Sequence, residues 1–333
     1  MPSPTSKKAH PGRRAIIFSL LLGWLVIVGL GLANRQAIMD WWVLRYYTPP
    51  PAIASLASED TMTSYAKHLF YLNQPQLEDN IVFGSKCPNN GGEQTIVLGC
   101  YHSYEDGIYL LTVNDPRLNG VEQVTAAHET LHAAYDRLSK ADKTKVDKLL
   151  EDYYHHDLKD PRLIQTIKAY QQTEPNDVVN EMHSVFGTEV ANLPPSLESY
   201  YKRYFSDRRQ IVSYADQYEA EFTSRQTQIA QDDAQLSQWK SEIDNLQNDL
   251  IAKQNALTAQ QDSLMNLQKT NLNAYNAGVP AFNQAVDSYN TEVEQLKNLV
   301  ASYNQLVTER NQIVFIVDQL DQELSTNQST INH

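Results

Sequence analysis

Positive charge is scarce in this 333-residue chain: 27 Lys and Arg stand against 40 Asp and Glu, a formal net charge of −13. With no basic stripe to neutralise phosphates, nucleic-acid binding is excluded as its main activity. Cysteine is scarcer still, with two residues, so at most one internal disulfide can form. Glycine and proline are missing from 208–272, which argues against turns there and for uninterrupted helix. What is there is a hydrophobic content of 41%, ordinary for a chain with a real core, and enough length for two or three domains.

Charge is also missing from Ala15 to Ala33, an apolar run long enough to span a bilayer. Lys7, Lys8, Arg13 and Arg14 precede it. Positive charge on that side predicts a cytoplasmic tail (1–14), a transmembrane helix (15–33) and an extracytoplasmic remainder. A cleavable signal peptide is the rival reading, with Gly31-Leu32-Ala33 as a small-x-small cleavage site. The length of the run favours a retained anchor, and Trp41, Trp42, Tyr46 and Tyr47 suit an interfacial aromatic belt.

Residues 34–77 read as juxtamembrane and linker helices. Thr48-Pro49-Pro50-Pro51 stops the first of them, and a helical approach runs from Pro51 to Leu77. Cys87 and Cys100 flank the turn-rich stretch Pro88-Asn89-Asn90-Gly91-Gly92. On an exported chain they read as a disulfide; free thiols or metal ligands are the alternatives, and their separation makes a poor metal site. Thr95–Tyr101 and Gly107–Val113 are rich in β-formers and predict two strands.

Between Val124 and Ala134 there is no proline and no charged residue but one. That one is Glu129, within Ala127-His128-Glu129-Thr130-Leu131-His132-Ala133. Histidines four apart project from one face of a helix, so two imidazoles can grip one zinc ion, and the adjacent glutamate can activate water in the ion's open position. Two unrelated helical histidines are the bland reading of the same spacing. Helices then follow over Lys140–Leu158, from Asp160-Pro161 through Tyr170, and after the capping stretch Glu174-Pro175-Asn176-Asp177.

At His128-Glu129-x-x-His132 the chain resembles the zincin metallopeptidases. Asn180-Glu181, on a helix downstream, resembles the segment that supplies the third, carboxylate ligand in the gluzincins, although here two helices intervene. The resemblance implies zinc held by His128, His132 and Glu181, Glu129 as general base, and peptide or protein substrates. It also implies a strand hairpin before the metal helix whose edge pairs with extended substrate. His183 and Glu189 are the other downstream candidates for the third ligand. His183 points to a different side of the helix from Glu181, and Glu189 lies past Gly187, where the helix is expected to end. Tyr200, Tyr201, Tyr204 and Arg203 are candidates to support a developing oxyanion, or else core packing.

From Arg208 apolar residues fall into heptads: Leu236, Trp239, Ile243, Leu246, Leu250, Leu257, Leu264 and Leu267. A second run follows Ala277-Gly278-Val279-Pro280, from Phe282 to Leu324. An antiparallel coiled-coil hairpin is expected over 207–327, with its turn near 276–280 and a tail at 328–333.

The whole reads as an α+β, mostly helical, membrane-anchored zinc metallopeptidase. Its zincin-like domain (78–206) carries a small sheet, and a protein partner is expected on the coiled-coil arm. The alternative is a cell-envelope scaffold with a structural zinc site, whose coiled coil does the work.

Overall fold

The computed structural model describes residues 11–88, 98–103 and 107–325, with side chains from residue 18 onward. Lys7 and Lys8, the side chains of Arg13 and Arg14, the turn over 89–92, the strand residues 95–97 and the tail from 326 lie outside them. The described residues are mostly helical with one three-stranded sheet, and the chain divides into two compact units. One takes Met1–Thr112 and Glu122–Ser213; the other takes Val113–Val121 and Tyr214–His333.

The first unit opens with α1 (Pro11–Ala33) and α2 (Arg35–Leu44). Large apolar side chains of α1 from Phe18 to Leu32 are exposed. Among the described residues no single helix is long and apolar enough to cross a membrane. Phe18–Ala33 and Arg35–Leu44 pass that test as a pair, bent by 65°.

The expected helix from Pro51 to Leu77 is in fact two helices and a strand: α3 (Pro51–Glu59), α4 (Ser64–Leu72) and β1 (Gln76–Glu78). Thr63 caps α4 by accepting from the Ala66 N–H at 3.2 Å, and α4 stops at Asn73, two residues before Pro75. These elements build the core, with Ile53, Leu56, Ala57, Leu69 and Phe70 buried. The boundary expected between 77 and 78 therefore falls inside β1.

Strand β1 pairs in parallel with β3 (Gly107–Leu111), and β2 (Gly99–His102) pairs antiparallel on its other side. All five residues of β3 are buried, as a central strand's continuous apolar run requires. The short α5 (Asn80–Lys86), capped by Asp79, packs on β1 and β3.

Helices α6 (Val121–Asp136), α7 (Lys140–His156), α8 (Pro161–Thr173), α9 (Val178–Glu189) and α10 (Pro195–Tyr201) follow. Ser139 and Asp160 supply side-chain caps to α7 and α8, and Pro161 occupies the first turn of α8, where no donor is missed.

The second unit is dominated by α11 (Arg208–Thr270) and α12 (Leu272–Leu324). At 1.5 Å per residue, α11 is about 95 Å long. Lys253 meets Glu292 and Asp233 meets Arg310, pairs that place the two helices antiparallel about Asn271. The turn is therefore at Asn271 and not at 276–280. Asn271 alone leaves the helical path and caps α12 by accepting from the Ala274 N–H at 3.2 Å. Gly278 and Pro280 lie inside α12. There Gly278 lets Leu264 of α11 approach to where a Cβ would stand, so the pair marks close packing rather than a break. Gly120, before α6, has φ +105° and lies against the Tyr214 backbone, a position that excludes a side chain twice over.

Candidate metal centre

His128 and His132 share one face of α6, their ring centroids 4.8 Å apart. Facing them is α9, buried at every residue from Asn180 to Thr188. The two helices come this close at Gly187, where a Cβ would stand 2.4 Å from the Leu131 side chain and 2.8 Å from the Tyr201 ring. Gly187 thus marks a helix contact; the expected helix end there is corrected, since α9 continues to Glu189. The far end of α9 is held by Arg208, itself 5% exposed. Its guanidinium donates to the carbonyls of Val190 (2.6 Å), Phe186 (3.4 Å) and Gly187 (3.5 Å) and pairs with Glu198. Carbonyls that a helix end would leave unsatisfied are thereby bonded.

Packing of α9 on α6 brings Glu181 between the two imidazoles. Its Oε1 lies 3.3 Å from His132 Nε2 and its Oε2 3.6 Å from His128 Nε2. Tetrahedral zinc with ligands at about 2.0–2.2 Å places neighbouring ligand atoms about 3.3–3.6 Å apart. The two carboxylate–imidazole separations match that spacing. The donor set, two imidazoles and a carboxylate, is also one that zinc accepts. Among the described residues this group comprises three donors, which leaves room for a fourth, non-protein ligand. Glu181 also lies within 4.8 Å of Glu174 and Asp177.

Electrostatics agree with the geometry. Burial opposes ionisation of Glu181, yet the imidazoles of His132 and His128, and the Tyr170 hydroxyl donating to it, hold its carboxyl below the ordinary range. Burial likewise opposes the charged form of His128, but its hydrogen bond to Glu181 and the charge of Glu129 raise it. Glu129 is 5% exposed, and burial lifts its carboxyl above the usual value, with His132 and His128 pulling partly back. A carboxyl raised in this way holds a proton more tightly than an ordinary carboxylate does.

Strand β2 covers Glu129. At Gly99 a Cβ would lie 2.7 Å from Glu129 Oε1 and 2.5 Å from the Thr125 methyl group, so only glycine leaves the carboxylate where it is. In the order β1-β3-β2, β2 is an edge strand of the sheet.

The other downstream candidates are engaged elsewhere. Glu189 is ion-paired with Arg162 at 2.7 Å. His183 is fully buried; its Nε2 meets the Tyr200 hydroxyl at 2.8 Å, and Tyr201 donates to its carbonyl at 2.7 Å. Burial, with the nearby charges of His132 and His128, pushes the His183 imidazole down to about 3, so the ring is neutral. Tyr200, Tyr201 and Tyr204 pack around that ring, and Arg203 lies over the rings of Tyr65 and Tyr204. Core packing is thus their visible role.

Arg137, just beyond α6, grips Asp40 of α2 with two hydrogen bonds of 2.7 and 2.9 Å, and His68 of α4 meets the same carboxylate at 3.2 Å. The end of α6 is thereby tied to α2.

Sequence reasoning missed Gly99, Tyr170, Arg137 and Arg208. Each acts through a partner from 10 to 97 positions away, and only Gly99, a glycine inside a strand pattern, carries a local signal of close backbone approach. Cys87 and Cys100 form the expected disulfide, with Cα atoms 5.9 Å apart. Compared with known protein families, with curated proteins and with solved structures, the chain matches none.

Proposed function

We propose that this protein is a zinc metallopeptidase, anchored by its N-terminal helices and acting outside the cytoplasm on peptide or protein substrates. The observation that carries the reading is Glu181. A buried carboxylate, 49 positions beyond His132 in the sequence, stands 3.3 and 3.6 Å from the two motif imidazoles with Glu129 beside them. Zinc bound there would polarise the scissile carbonyl and acidify a water molecule in its open position.

The chain's own groups do the rest. His128, His132 and Glu181 would hold the ion, and Tyr170 orients Glu181. Glu129 takes the proton from the attacking water and returns it to the leaving amine nitrogen. The edge strand β2, passing over Glu129 at Gly99, offers main-chain groups to an extended substrate. Exposed apolar side chains on α1, and the pair α1–α2 meeting the length and composition of a span, support the membrane anchor. Arg45 lies over the rings of Trp41, Trp42 and Tyr46, as befits a helix at the lipid–water boundary. The long hairpin serves as a spacer or docking arm for a protein partner.

The test is metal analysis of the purified protein coupled to digestion of a broad peptide library, with and without chelator. We expect one zinc per chain and chelator-sensitive cleavage. Glu129→Gln should keep the metal and lose cleavage by roughly 10²–10⁴-fold. Metal bound without cleavage of any peptide would favour the scaffold reading, and cleavage surviving in Glu129→Gln would end the peptidase mechanism.

A further inference from the structure

The Cys87–Cys100 disulfide sits inside a second cluster of donors, separate from His128, His132 and Glu181. Cys87 is the residue that ends α5 and is buried; Cys100 lies in β2. Two residues on, His102 turns its Nε2 to 3.2 Å from Cys100 Sγ and 2.9 Å from the Lys86 carbonyl oxygen. That oxygen is 4.0 Å from the same sulfur. Cys87, Cys100 and His102 each offer a ligand atom within 4.8 Å of the others. A main-chain oxygen stands at their side. On sequence spacing alone the two cysteines make a poor metal site; the fold supplies the histidine and the carbonyl that improve it.

As a disulfide the sulfurs are weak ligands. As thiolates beside a neutral imidazole they form a donor set that zinc binds strongly. The supporting frame does not depend on the cross-link: α5 packs on β1 and β3, and β2 is bonded along its length to β3.

We propose that reduction of Cys87–Cys100 converts this cluster into a second metal site, with Cys87 Sγ, Cys100 Sγ and His102 Nε2 as ligands and the Lys86 carbonyl at the fourth position. A dithiol reductant supplies two electrons and two protons to the sulfur–sulfur bond and leaves as its own disulfide. A divalent zinc ion then displaces one proton from each thiol. The ring proton that Nε2 shares with the Lys86 carbonyl moves to Nδ1, and His102 coordinates through the freed Nε2 lone pair. The metal replaces the covalent link between α5 and β2, so Gly99 keeps its place against Glu129 under reducing conditions.

The experiment titrates cobalt(II) into the full chain before and after reduction with a phosphine. After reduction we expect an added equivalent of bound cobalt and an intense near-ultraviolet thiolate-to-metal absorption, both absent beforehand. That band reports sulfur ligation alone, so it is read whether or not cobalt also occupies His128, His132 and Glu181. Cys100→Ser should abolish the band, and His102→Ala should weaken binding at this site at least tenfold. A reduced chain with unchanged helical circular dichroism and no band would overturn the proposal. So would an undiminished affinity in His102→Ala, or loss of the fold on reduction alone.

Discussion

The unit holding the candidate metal centre and the hairpin are built on opposite plans. In the first, Phe70, Phe83, Ile108, Phe186, Tyr201 and Phe205 are almost wholly buried, and charged groups such as Glu129, Glu181 and Arg208 are buried with them. In the second, contacts repeat along two helices, and among the described residues of the long arms from Tyr214 onward only Ala215, Leu250, Leu320, Leu324 and one charged group, Asp232, are buried. The polar partners there, Lys253–Glu292 and Asp233–Arg310, are partly exposed. A buried charge is costly unless several partners converge on it, whereas a solvated pair can be lost at little cost. The metal unit should therefore be sensitive at single positions where the hairpin is tolerant.

The largest effect is expected at Glu181. Glu181→Ala should weaken zinc binding by more than the roughly 100-fold that loss of an outer-shell partner costs. Glu189→Ala should leave zinc in place because Glu189 serves Arg162. His183→Ala should leave zinc bound too, while lowering stability through the cavity it opens. Zinc affinity by competition with a chromophoric chelator measures all three, and wild-type affinity in Glu181→Ala would remove the ligand.

Next comes Arg208. Removing a buried guanidinium that holds four carbonyls, those of Phe186, Gly187, Val190 and Ala191, and Glu198 should cost roughly 3–5 kcal/mol in the first unit. A truncation just after Phe205 should suffer similarly, whereas one beyond Ser213 should still bind zinc. Thermal unfolding of the three proteins decides the matter; equal melting of both truncations would show that Arg208 is dispensable.

Asp60 gives a smaller, pH-dependent effect. It is fully buried with neither carboxyl oxygen hydrogen-bonded, and burial, reinforced by Glu59, raises its carboxyl well above the ordinary 3.8. The folded state thus holds the proton more tightly than the unfolded chain. The associated stability is complete below about pH 4. It falls by about 1.4 kcal/mol per pH unit until the folded-state value is passed. Asp60→Asn should be more stable than wild type near neutrality, with the difference shrinking as the medium is acidified. Denaturant titrations across that range would show it; a difference independent of pH would not fit.

The smallest is on the hairpin. Lys253→Gln removes the contact with Glu292, yet the melting curve should not move measurably, since the lysine is solvated. A marked drop would mean that the hairpin depends on single charges as the metal unit does.

Much of this was legible beforehand. The face shared by His128 and His132, the helices around them, the Cys87–Cys100 bond and the two long arms all follow from spacing, capping and periodicity. The three-residue β1 was not, because a strand so short has no period to read and exists through its parallel pairing with β3. Nor was the turn at Asn271. Gly278 and Pro280 are stronger breaking signals, but the register that joins Lys253 to Glu292 places the bend earlier.

The sequence by itself determined which residues could serve as ligands and base, because helical geometry turns a four-residue spacing into a shared face. Tertiary structure decided which carboxylate meets that face and what covers it. Glu181 reaches the histidines only because Gly187 lets α9 lie against Leu131. Glu129 is enclosed only because Gly99 has no side chain to push it aside. Such contacts join residues distant along the chain, and no local period records them.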